Sequence, residues 1–333
     1  MKKHFNIFFV IIFLLSSYSL ICCAKNDIAT SYAYRDISFY DSKLDSELLK
    51  DRISIADQNI VNYLEDMDST VNYSSYELNI QEIEVFEECV NILPKSYISI
   101  LKEKVIGIYF IENYIYGGMT NYVFDKDGSM YMTLYFNPAT LKANINEWID
   151  YKEKTYFNGS NEDDYIESIV YNGIYPAFLF LLLHEASHIY DHYFNITPFV
   201  EPALANDTRL SSKDFVTDVW DDYSIPIEKY NFEDRDNLVA YLDNTFVDID
   251  SAETIYRNLS NTPFASVYGS KIWAEDFAES FTWLYLYNNH NIYYIINIFK
   301  DGKLMYSFNQ FNNDLFLKRY LLFDDIIKSN GVE

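Results

Sequence analysis

From Ala177 to Phe194 the chain runs without a glycine or a proline, and Phe178–Leu183 is apolar on every side. Pro176 stands just ahead, where a first helical turn tolerates it. Such a run folds as a helix, and a helix that is apolar all round is buried. Yet this one carries His184-Glu185-Ala186-Ser187-His188. Residues four apart lie on one helix face, so two imidazoles and a carboxylate are carried into an interior where polar groups need partners. A cation is one such partner. His192 continues the spacing, but at 1.5 Å per residue it lies about 12 Å along the axis from His184. It reads as exposed rather than as a third ligand.

Zinc suits this arrangement. It accepts imidazole nitrogen, leaves a position open for water and brings that water's pKa to about 7. Glu185 is then placed to act as general base. With five His in 333 residues, a chance match to the pattern is rare, on the order of 0.005 per chain. Such a site needs a third protein ligand. A metzincin-type His is absent, because Asp191 stands where that pattern has Gly and Phe194 where it has His. The better source is Trp273-Ala274-Glu275-Asp276-Phe277-Ala278-Glu279, a helical run with Glu275 and Glu279 one turn apart on one face. They are candidates for a ligand and for a group that orients a ligand from behind. The competing reading is a solvated acidic face. Glu201 and Glu253 lack a comparable apolar context and are weaker candidates.

The pattern His184-Glu185-x-x-His188-x-x-Asp191-x-Tyr193, then Tyr268-Gly269, then Glu275-x-Phe277-Ala278-Glu279, resembles the catalytic domain of anthrax lethal factor and its relatives, including the bacterial Pro-Pro endopeptidases. These are gluzincin metalloendopeptidases. The resemblance spans about residues 105–286 and is carried by two short blocks. It implies a zincin-like fold and one zinc ion held by His184, His188 and Glu275. It further implies Glu185 as base, Tyr268, seven residues before Glu275, as helper at the oxyanion, and Glu279 and Asp191 as supports behind the ligands. The stretch from His188 to Glu275 is longer than the family usually has, so an insertion is expected within 200–262.

The rest of the chain reads as α+β: a helical segment, a small sheet, then helices. Residues 25–75 look helical but polar, and residues 77–103 helical with a break at Leu93-Pro94. Val105–Phe110 is strand-like. Tyr122–Phe124 and Met130–Phe136 flank Asp125-Lys126-Asp127-Gly128 as a hairpin, with Met130–Phe136 expected at the sheet edge. Residues 200–262 read as loops with one or two helices, and 314–328 as a further helix. The expected divisions are 1–24, 25–100 (helical) and 101–333 (catalytic, small mixed sheet beside the His-bearing helix).

Lys2 and Lys3, the apolar Ile7–Leu15 and Cys22-Cys23-Ala24 describe an export signal, too short to span a membrane. Leu20-Ile21-Cys22-Cys23 resembles a lipobox, so a lipid anchor competes with simple release. Cys89 is then the one Cys in the body of the chain, which excludes an internal disulfide framework. Asp plus Glu number 50 against 25 Lys plus Arg, a balance that argues against nucleic-acid partners. The expectation is an exported zinc metalloendopeptidase acting on protein or peptide, its membrane contact limited to that anchor. The alternatives are a non-catalytic surface lipoprotein of the same fold that binds a partner, and a metal-dependent hydrolase of a non-peptide substrate.

Overall fold

The computed structural model of the chain describes residues 33–69, 72–198, 215–241 and 247–329. The expected export signal and Glu201 lie outside them. Five strands form a mixed sheet: β1 (Ile53–Ser54), β2 (Ser74–Tyr76), β3 (Val105–Glu112), β4 (Gly118–Phe124) and β5 (Met130–Phe136). Their order is β1-β3-β5-β4, with β2 also on β3. β3 runs parallel to β1 and β5 and antiparallel to β2, while β4 and β5 form an antiparallel hairpin. Asp125 closes that hairpin by accepting from the amides of Asp127 (2.9 Å) and Ser129 (2.8 Å), and Gly128 takes the positive φ of +81° that the turn requires.

Met130–Phe136 is therefore not the edge strand expected above. It sits between β3 and β4, and β4 forms the border. Parallel pairing of β3 with β5 is a non-local contact that needs a crossover, and no local pattern announces it. Near its end β4 is covered, since Asp36 bridges to Phe124 and Arg35 donates to the Tyr122 carbonyl (3.2 Å). On the side away from β5, Gly118–Asn121 has no strand paired with it among the described residues.

β3 is buried along all but its last residue, as a strand covered on both faces must be, and this explains its unbroken apolar run. One face is covered by the N-terminal segment and helix α1 (Gln58–Asp68), whose Ile60, Val61 and Leu64 meet Ile106, Tyr109 and Ile111. Among the described residues of 25–75, α1 is the one α-helix; Ala33–Arg35, Ile37–Phe39 and Leu49–Arg52 are short 3-10 turns. Asp36 caps the Ile37–Phe39 turn by accepting from the Ser38 amide (2.7 Å). Over the other face lie α2 (Ile80–Ile92), α3 (Lys95–Lys104), α4 (Ile145–Lys154) and α5 (Ala177–Phe194). Phe178 of α5 packs on Phe110 and Phe136 of the sheet, at ring separations of 5.8 and 4.9 Å.

A second sheet pairs β6 (Tyr165–Tyr171) with β9 (Tyr293–Lys300) and β9 with β10 (Lys303–Phe308), all antiparallel. Between them in sequence come the short pair β7 (Trp220–Asp222) and β8 (Ile225–Pro226), α6 (Ala252–Leu259) and α7 (Trp273–His290). Helix α8 (Asp314–Ser329) follows. No described helix is long and apolar enough to cross a membrane.

The turn into β4 is fixed by close packing on α5. A Cβ on Gly117 would come within 2.6 Å of Leu181 and 2.7 Å of Trp148. Gly117→Ala is expected to cost about 1–3 kcal/mol by overpacking, read as a lowered urea midpoint with an unchanged slope.

Candidate metal centre

Helix α5 carries His184, Glu185 and His188, and α7 crosses it carrying Glu275 and Glu279. His184 Nε2 lies 3.0 Å from Glu275 Oε2 and 3.2 Å from His188 Nε2, and His188 Nε2 lies 3.5 Å from the same carboxylate oxygen. Among the described residues these three form the one group of His, Cys, Asp or Glu side chains that could hold a metal ion. A tetrahedral ion with bonds near 2.1 Å needs donors about 3.4 Å apart, and the three separations bracket that edge. The three side chains are 6, 11 and 18% exposed, in the order His184, His188, Glu275, so the group opens to solvent on the Glu275 side. Glu253 does not join it. That residue is salt-bridged to Arg257 (2.8 Å) at the surface.

Burial opposes charge on His188, but the Glu275 carboxylate outweighs it and pushes the imidazole up to about 9. Burial would raise Glu275, and the two imidazoles overcome it and hold the carboxyl well below its usual range. A cation entering here meets a ready carboxylate and takes the place of the proton on His188.

The rotation of α7 that presents Glu275 is set by its neighbour. Asp276 is fully buried, pointing away from the histidines, and is bound by Arg319 of α8 (2.6 and 2.7 Å) and by the Trp220 indole (2.9 Å). One turn on, Glu279 comes back to the histidine side. Its Oε1 lies 3.6 Å from His184 Nδ1 and 3.3 Å from Lys152 Nζ, and its Oε2 accepts from Ser266 (2.7 Å) and Trp283 (3.2 Å). At 3.6 Å the approach to His184 is electrostatic and not a hydrogen bond, and His184 Nδ1 has no hydrogen-bond partner among the described residues. The carboxylate behind the imidazole acts on its aim through charge.

Glu185 is buried beside the triad but is not part of it. Thr120 of β4 donates to its Oε2 (2.7 Å), and a Cβ on Gly118 would lie 3.0 Å from its Oε1. Burial raises its pKa, against the pull of His184 and His188. Tyr268 stands at the start of a short 3-10 turn, Tyr268–Ser270, with its ring 5.9 Å from that of His184. Burial, reinforced by Glu275, pushes its phenol well above its ordinary value, so it is a neutral hydrogen-bond donor.

Two expectations change. Asp191 makes no hydrogen bond to the histidines: its oxygens accept from Thr197, through the amide (2.7 Å) and the hydroxyl (2.6 Å), and it acts on His188 through its charge. It fastens the chain where α5 ends in the left-handed Asn195. His192 is half-buried rather than exposed, packed 5.8 Å from the Tyr122 ring of β4. The residues missed in the sequence are Thr120, Lys152 and Ser266. Each is a common residue type, and none stands at a telling spacing from the motifs.

The segment after α5 also reaches the site. Arg235, buried, donates to the carbonyls of Ser270 (2.6 Å) and Ser224 (2.8 Å), tying the 235–241 stretch to the turn that carries Tyr268. Between them lies a cavity of about 250 Å³, lined by Tyr116, Leu238, Val239, Tyr241 and Tyr268. A larger cavity, of about 360 Å³, lies by Lys104 and Met130 and shares none of the candidate site residues.

Comparisons with known protein families, with characterised proteins and with solved structures gave no match.

The geometry separates the two glutamates. Glu275→Ala should abolish tight binding of zinc, whereas Glu279→Ala should weaken it about 10–100-fold, as expected for a lost support behind a ligand. Competition with a chelator measures both. The reverse order would exchange the roles assigned to the two side chains.

Proposed function

We propose that this chain is an exported zinc-dependent metalloendopeptidase of zincin-like fold, with His184, His188 and Glu275 as the ligands of one zinc ion. The observation that supports it best is the fourth buried group. Glu185 stands outside the three potential ligands, is held by Thr120 and lies against the free stretch of β4. A site that only stabilised the fold would gain nothing from a second carboxylate at that position, whose burial is costly.

The ion would supply Lewis-acid polarisation of a carbonyl and would bring water to a pKa of about 7. The chain's own residues do the rest. Glu185 takes a proton from the attacking water and passes it to the leaving amine, and burial suits it to both steps by raising its pKa. Tyr268 donates a hydrogen bond to the oxygen on which negative charge develops. Gly118–Asn121 offers an edge to which an extended peptide can add as a strand, and Thr120 places that edge next to the base. A protein or peptide is accordingly the proposed substrate. Export is proposed from residues 1–24 alone, and whether the mature chain is lipid-anchored depends on Cys22 and Cys23.

Two variants test the reading on a mixed peptide library. Glu185→Gln should abolish cleavage while zinc stays bound, because the base is lost and the ligands remain. Retained turnover by the pure variant removes Glu185 from the reaction, and failure of the zinc-loaded wild type to cut any peptide favours a binding module or a non-peptide hydrolase. Tyr268→Phe should keep zinc and lower kcat by roughly 10–10³, the usual cost of one donor at a developing oxyanion.

A further inference from the structure

Lys152 is the least expected residue near the candidate centre. It sits on α4, with its side chain 2% exposed, and its ammonium touches three other elements. Nζ lies 3.3 Å from Glu279 Oε1 on α7, 5.5 Å from the ring centre of Phe180 on α5 and 5.4 Å from the ring centre of Tyr268. A buried cation costs several kcal/mol unless it is paired and hydrogen-bonded. Here one carboxylate pairs it and two aromatic faces receive its remaining field. The neighbouring Glu153 is hydrogen-bonded to the Tyr256 hydroxyl and meets Lys152 through charge and not through a hydrogen bond.

This cation stands at the junction of two lines that end at the centre. Along the first, Lys152 holds Glu279 Oε1, the same oxygen that faces His184 Nδ1 at 3.6 Å, and the opposite imidazole nitrogen, Nε2, points at Glu275. Along the second, Ser266 donates to Glu279 Oε2 (2.7 Å) and accepts from the Gly269 amide (2.9 Å), which fixes the turn that carries Tyr268. The ammonium over the Tyr268 ring holds that ring from its face. The Asp276–Arg319 pair on the far side of α7 offers a contrast. It is buried as well, but it leads to Trp220 and Phe215 and not to the histidines.

We propose that Lys152 is a positioning residue of this centre, aiming His184 through Glu279 and holding the Tyr268 ring so that its hydroxyl meets the developing negative charge. The first role concerns metal affinity and stands without any assumption about substrate. The second rests on the peptidase reading above. A purely structural ion pair would change stability and leave both roles untouched.

The test uses the full chain with Lys152→Met and Lys152→Arg, each alone and combined with Tyr268→Phe. Zinc affinity is measured by chelator competition, and kcat and KM on a cleaved peptide at saturating zinc. Lys152→Met should weaken zinc about 10–100-fold, and Lys152→Arg, which keeps the charge, should restore most of it. At saturating zinc, Lys152→Met should lower kcat about tenfold with KM unchanged, and that loss should vanish in the Tyr268→Phe background, because the two act through one hydroxyl. Unchanged zinc affinity in a folded Lys152→Met protein overturns the first role. An equal kcat loss with and without the Tyr268 hydroxyl overturns the second. Should Lys152→Met not fold, Ser266→Ala removes another support of Glu279 and must weaken zinc in the same direction, and no change there overturns the network. If the wild type cuts no peptide, the peptidase reading falls together with the Tyr268 role, and the zinc measurements alone decide the His184 role.

Discussion

Helix α7 carries three carboxylates into the interior within five residues, and each can be satisfied in only one place. Asp276 needs Arg319 and Trp220, Glu279 needs Lys152, Ser266 and Trp283, and Glu275 needs the imidazoles of α5. Burying an unpaired carboxylate costs several kcal/mol, more than a wrong packing contact would recover. The three together therefore allow one rotation of α7 and one height along α5. The spacing of the candidate ligands follows from that registry.

The registry also explains why so much of the fold converges on one region. α8 brings Arg319, α4 brings Lys152, and the turn before α7 brings both Ser266 and Tyr268. On the other side of α5, β4 contributes Thr120 to Glu185. The packing that seats α5, Phe178 on the sheet and Tyr190 on Tyr97 of α3 at 4.7 Å, thereby holds the centre to its dimensions. Supporting groups on rigid elements keep a ligand set within the tolerance that chemistry demands.

The competing polar and apolar demands on α5 are resolved by length. Its first half is packed on all sides, and its second half is partly open at His188 and from His192 to Phe194. Glu185 is at the boundary, buried enough for its pKa to rise and held by Thr120 against the border strand of the sheet. The 235–241 stretch, within the region of the expected insertion, is fastened by Arg235 to the turn that carries Tyr268.

The amino-acid sequence determined the local parts. The Ala177–Phe194 helix, the His184–Glu185–His188 face, the one-turn spacing of Glu275 and Glu279, and the Asp125–Gly128 hairpin each depend on residues a few positions apart, and short-range periodicity records them. The tertiary structure decided what depends on distant pairing. Met130–Phe136 reads locally as an edge strand, but β3, earlier in the chain, pairs with its outer side and leaves β4 at the border. Asp191 sits at a motif position yet is claimed by Thr197 six residues on, because the helix end needs it. Lys152 lies 127 residues before Glu279, and no spacing rule links a lysine on one helix to a glutamate on another. Such a pair exists only once the core has closed and removed the water that would otherwise have solvated both charges.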